Sequence, residues 1–219
     1  MDGGAFLQWV RGPGMVIAVA VLVFGLILRL IEIYSLGRKK DLAPPRQGKR
    51  YSGWRTVATR TVPKAGEFRR TPLTYLAGYT FHIGFFIALL FLAPHIRLLE
   101  GVVGFGWPAL PTSVVDAVTV LTLVALVVTL VLRVADPVKR FLSTPGDYVA
   151  WALTFLPLLT GYMAYHHLFW RYETLLGLHI LSVEVLMVLL PFTKLVHAVT
   201  LFISRWYTGE TYGRRGVPA

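Results

Sequence analysis

Six histidines, His82, His95, His166, His167, His179 and His197, all fall inside or at the ends of long apolar stretches of this 219-residue chain. An imidazole in hydrocarbon is costly, so each is a candidate for function. For any one of them alone, the plain alternative is a ring bonded to a backbone carbonyl or lining a water cavity. Their spacing says more than their number. His179 and His197 stand 18 positions apart. On one continuous helix that is five turns of 3.6 residues, so the two would share a face and lie roughly 27 Å apart. His82 and His95, 13 positions apart on a helix running the other way, would be separated by roughly 20 Å of rise. The pairs then match in depth, His82 with His197 and His95 with His179. Opposed imidazoles at two depths are what two bis-imidazole haems require, whereas zinc would want three or four ligands at one depth. Thirteen residues of straight helix turn through about 220°, which would put His82 and His95 on different faces. Pro94 is expected to kink the helix and restore the aim of His95. His166 and His167, at the outer end of the fourth apolar stretch, are the alternative source of that outer ligand or else polar residues at the interface. Gly78, Gly84 and Gly177 lie near the histidines and either admit a macrocycle close to the backbone or serve ordinary helix contacts.

The elements that must position these residues are membrane helices. The chain is 55% hydrophobic and 15% charged, far from the balance of a soluble domain. Five apolar runs approach the roughly 20 residues needed to cross about 30 Å of hydrocarbon: Met15–Leu36, Leu73–His95, Ser113–Ala135, Tyr148–Tyr165 and Leu175–Ile203. The expected fold is a single all-α domain over residues 1–219, a bundle of five transmembrane helices. The first run has one basic residue before it (Arg11), no small-residue cleavage site and a basic segment after it, so it reads as a retained helix rather than a signal peptide. The formal charge of +11 gathers in particular loops, above all in residues 37–71, with Arg133, Lys139 and Arg140, and then Arg205, Arg214 and Arg215, in later ones. The positive-inside rule places these loops in the cytoplasm, with the N-terminus outside and the C-terminus inside; the expected location is a prokaryotic cytoplasmic membrane. That distribution argues against a nucleic-acid partner.

Gly37–Thr71 is too polar for a core of its own and is expected to offer a surface to another subunit or to anionic lipid headgroups. The segment "EGVVGFGWPALPT" suits an interfacial lid, and "STPGDY" offers a turn followed by Asp147 as N-cap. There is no cysteine, which excludes disulfides, thiolate-held iron–sulfur clusters and covalently attached haem c. A redox centre in this chain would have to be held by histidine or methionine.

Three stretches, "FHIG" around His82, "LRVADPVKRFLSTPGD" between the third and fourth runs, and "LHILSVEVLMVLLPFTKLVH" from His179 to His197, resemble the γ subunit of respiratory nitrate reductase. This membrane cytochrome b has relatives in heterodisulfide-reductase-like and dissimilatory sulfite-reduction complexes. In topology the resemblance covers about residues 15–207. It implies that His82 and His197 ligate a haem b near the cytoplasm and that His179 ligates an outer haem b. The family's second histidine normally follows the first by ten residues, a position held here by Leu92; His95 comes three residues later, a departure that favours the heterodisulfide-reductase-like branch. The resemblance further implies quinone or quinol chemistry at the outer haem and electron exchange through the inner haem with a cytoplasmic iron–sulfur subunit.

Within that frame Glu184, five residues after His179, is a candidate proton relay or quinone-site partner, or a neutral acid bonded to a neighbouring helix. Arg97 and Arg171 at the outer ends, and Arg133, Lys139, Arg140 and Lys194 at the inner ends, are placed to pair with haem propionates; each alone also reads as a snorkelling or positive-inside residue. Two other classes compete: the cytochrome b of a hydrogenase- or formate dehydrogenase-type complex, and a non-redox membrane anchor or transporter with structural histidines.

Overall fold

The computed structural model describes residues 3–37, 42, 44–46 and 53–217. Among these residues the chain is helical, without strands. Four helical stretches are long and apolar enough to cross a membrane: Gly3–Ser35, Pro72–Phe91, Thr112–Ala135 and Tyr172–Phe192. Large apolar side chains such as Val16 and Phe24 point outward, the inverse of a water-soluble protein and what a lipid solvent allows. The helix Pro145–Tyr165 is long enough at 21 residues, but its Thr, Tyr, Pro and Gly content makes it less apolar than the other four.

The described residues form two compact units. The first holds residues 1–19 and 71–188. It begins with α1 (Gly3–Trp9), a π-turn at Val10–Gly14 and the start of α2 (Met15–Ser35). The first helix therefore starts well before Met15, because the apolar Ala5–Trp9 segment is also helical and the wider π-turn accommodates Pro13. There follow α5 (Pro72–Phe91), α6 (Ala93–Val103), α7 (Thr112–Ala135), the short α8 (Pro137–Leu142), α9 (Pro145–Tyr165) and α10 (Tyr172–Leu189). The α5–α7 contact is close because Gly84 presents no side chain to Thr122. Ala88, Val115, Leu126 and Leu158 are buried together, with Phe81, Phe85, Trp151 and Phe155 around them.

Two expectations about this unit are corrected. The run Leu73–His95 is not one helix: α5 ends at Phe91, Leu92 is extended (φ −78°, ψ 127°), and α6 starts anew with Pro94 in its first turn. The broken helix end leaves carbonyls to be satisfied. Trp107 Nε1 donates to Leu90 O at 2.6 Å, the Leu110 N–H donates to Phe91 O at 3.1 Å, and His95 Nδ1 bonds Ala88 O at 2.9 Å. The connection between α6 and α7 thus closes the end of α5. Asp147, second, is not the N-cap of α9. Thr144 is, and Asp147 is the third helical residue of a reciprocal capping box, its carboxylate accepting from the Thr144 N–H at 2.9 Å.

The second unit holds residues 20–70 and 189–219. The expected helix Leu175–Ile203 is broken within it: α10 stops at Leu189, short 3₁₀ turns occupy Leu190–Phe192 and Lys194–Val196, and α11 (His197–Arg214) begins at the histidine itself. Pro191 removes a backbone donor, and Thr193 between the turns is extended (φ −117°, ψ 179°). Gly25 of α2 lies against Pro191, where an added Cβ would come within 2.7 Å of the ring, and Arg29 Nε donates to Pro191 O at 2.9 Å. In the basic segment, α3 (Gly53–Thr59) packs on α11, and α4 (Ala65–Arg70) follows it. Gly53 and Thr56 are buried, Gly209 presents no side chain to Thr56, and the Gly53 N–H donates to Glu210 Oε1 at 2.7 Å. Part of the stretch read as a bare docking surface is therefore bound within the chain. The cations Arg38, Lys39, Lys40, Lys49 and Arg50 lie outside the described residues.

Candidate functional site: a pair of imidazoles

Within the first unit the structure brings His95 and His179 together, with ring centres 6.1 Å apart and planes inclined by 21°. His95 reaches this position because the interruption at Leu92 resets the helix before it, so the 220° objection, which assumed a straight helix, does not apply. His179 is half-buried on α10, turned toward α9. Its Nδ1 lies 3.0 Å from Pro157 O and 3.4 Å from Thr160 Oγ1. Thr160 Oγ1 lies in turn 3.0 Å from Ser182 Oγ. Gly161 makes room for the imidazole: a Cβ there would fall 3.0 Å from Cε1.

A carbonyl oxygen can only accept, so each Nδ1 that bonds one carries the proton. The lone pair of both rings then resides on Nε2, and among the described residues neither Nε2 has a hydrogen-bond partner. A metal–imidazole bond of about 2 Å on each side, with roughly 1 Å more from nitrogen to ring centre, puts two axial imidazoles about 6 Å apart. The observed separation matches that span. No third His, Asp or Glu among the described residues joins the pair, so a metal held here would take its remaining ligands from elsewhere, as a macrocycle provides.

The alternative ligands are occupied otherwise. His166 Nε2 lies 2.8 Å from Asp116 Oδ1 on α7. His167, in a left-handed conformation (φ 52°), sets its ring edge-on to Tyr172 with centres 5.1 Å apart.

His82 belongs to the first unit and His197 to the second, and each shows the same local chemistry. His82 Nδ1 bonds Gly78 O at 2.7 Å, and its ring lies beside Phe81 with centres 4.5 Å apart. His197 Nδ1 bonds Lys194 O at 2.7 Å. With Nδ1 protonated, Nε2 is again the electron-pair donor. In metal sites this hydrogen bond fixes the tautomer and the aim of the ligating ring. His179 and His197 lie on separate helices, α10 and α11, and not on one continuous helix.

Of the cations proposed for propionates, Arg133 Nη1 bonds Ser143 Oγ at 3.0 Å and pairs with Asp147 at 3.4 Å. Lys139 Nζ bonds Thr74 Oγ1 at 2.8 Å. Arg133 thus holds the corner between α7 and α9, and Lys139 ties α8 to α5. Arg171 is exposed beside Glu173. Arg97 lines an open cavity of about 440 Å³ with Glu100, Trp107 and Pro108. Gly84 and Gly177 serve helix contacts, against Thr122 and Phe6 respectively, while Gly78 has open space around it. Sequence reasoning missed Arg29, although a lone cation in an apolar helix was a signal, and also the Asp116–His166 pair and the Thr160–Ser182 support of His179.

The chain is 39% identical over 151 residues to a curated protein of Nitratidesulfovibrio vulgaris that is named only "Protein". The match covers 68% of this chain and 66%, just under two thirds, of that relative. No family model matches the chain, and no solved structure does.

Proposed function

We propose that this chain is the b-type cytochrome subunit of a respiratory membrane oxidoreductase, a five-crossing bundle with its N-terminus outside that exchanges electrons between quinone and a cytoplasmic iron–sulfur partner. The observation that carries this reading is the His95–His179 pair, at the separation of two axial ligands and with both Nδ1 atoms engaged by carbonyls. In this reading His95 and His179 hold one haem b, and His82 and His197 serve a second. Haem supplies one-electron chemistry when bound. The chain's own groups aim the imidazoles, through Ala88 O, Pro157 O, Gly78 O and Lys194 O, and hold a proton on each Nδ1. The fifth crossing is α9, whose roughly 31 Å of length matches the hydrocarbon thickness.

A pyridine haemochrome assay on the purified chain tests this, with two b haems per chain expected. One haem would keep the cytochrome and remove one of the two histidine pairs from ligation. No haem, in a preparation shown to retain such groups, would return the chain to a membrane anchor or transporter.

A further inference from the structure

Glu184 takes no part in either histidine pair. It is 4% exposed, and among the described residues its Oε1 is buried without a hydrogen-bond partner. Five residues of helix turn through about 500°, so Glu184 sits about 140° around α10 from His179 and serves a different face. That face meets the π-turn Val10–Gly14. An added Cβ on Gly14 would lie 2.8 and 3.0 Å from the two carboxyl oxygens and 2.9 Å from the Trp9 ring. Glycine at that position is what lets the carboxyl group sit against the turn.

An ionised carboxylate enclosed by apolar groups, with no donor or cation, costs far more than its neutral acid. Among the described residues no cation pairs with it: Arg11, on the same π-turn, is exposed, and His179 is directed toward Pro157 and Thr160 of α9. The neutral acid, in contrast, has an O–H to donate, and the π-turn is where acceptors arise. Pro13 brings no N–H to the turn, so it serves no backbone carbonyl of the preceding residues.

We propose that Glu184 and the π-turn Val10–Gly14 together form a proton-binding site within the membrane-spanning part of the chain, in which the carboxyl group holds an exchangeable proton. The ligand is the proton itself, and the site is separate from the paired imidazoles on the other face of α10. Gly14 is the positioning residue and Glu184 the group that carries the proton.

Infrared spectroscopy of the full chain reconstituted in lipid, recorded in H₂O and in D₂O, tests this. A protonated-carboxyl C=O band that shifts in D₂O and is lost in Glu184→Gln is expected. Gly14→Ala should retain the band but move its frequency, because the added methyl group presses on the carboxyl oxygens; this variant also keeps the test open if Glu184→Gln fails to assemble. Absence of such a band, a band that ignores D₂O, or a band unmoved by Gly14→Ala would each overturn the proposal. The readout does not depend on haem, so a chain without haem would sink the cytochrome reading and leave this result standing.

Discussion

Two interruptions, one at Leu92 and one across Leu190–Val196, do the same job by different means. Each is marked by a proline, Pro94 or Pro191, and each delivers a histidine into the first turn of a new helix. At the first, the exposed end of α5 is closed by its own surroundings: Trp107, the Leu110 amide and His95 take three of its carbonyls. The histidine is therefore both a cap and a partner for His179. At the second, the carbonyl of Pro191 is taken by Arg29 from α2, with Gly25 admitting the proline ring, and His197 closes a local bond to Lys194 three residues before it. A helix break in an apolar medium persists only where its freed backbone groups find partners. The comparison shows those partners coming from a loop in one unit and from a membrane helix in the other.

The largest effect expected from breaking this comparison is on haem. His95→Ala and His179→Ala should each lower the b haem content from two per chain to one, whereas His166→Ala should leave it at two; the pyridine haemochrome reads all three. Retention of both haems in His179→Ala would separate the imidazole pair from ligation.

An intermediate effect is expected at the second break. Arg29→Met leaves the Pro191 carbonyl without its donor, at a cost of about 1–3 kcal/mol. Thermal unfolding of the purified chain should show a lowered midpoint. An unchanged midpoint would mean that the break is held by other contacts.

The smallest effect distinguishes aim from presence. Gly161→Ala places a methyl group 3.0 Å from His179 Cε1, so the ring must yield by a few tenths of an ångström. The expected outcome is a shifted redox midpoint for one haem with full haem content, measured by potentiometric titration. A loss of haem instead would show that the site has no slack.

Much of this was legible from residue types. Of the five apolar runs expected to cross, four overlap helices that are long and apolar enough to do so, and matching the histidines in depth paired His95 with His179. Pro94 and Pro191 were visible, but each was read as a bend in a continuing helix. The apolar pattern runs through both prolines without a gap, and whether a proline bends or ends a helix depends on whether partners exist for the freed carbonyls. The α3–α11 contact was hidden for a related reason. It is built from Gly53, Thr56 and Gly209 rather than from a stripe of large apolar residues, so the basic segment read as surface alone.

The sequence by itself determined the helical class and the apolar runs long enough to cross a membrane, because hydropathy is a local property of the chain. Only the tertiary structure decided which imidazoles meet, which cations are already engaged at helix corners, and that Glu184 faces a π-turn rather than His179. Those outcomes depend on where helices stop and on which distant groups satisfy their ends, and the energy of a freed carbonyl is settled by its neighbours in space.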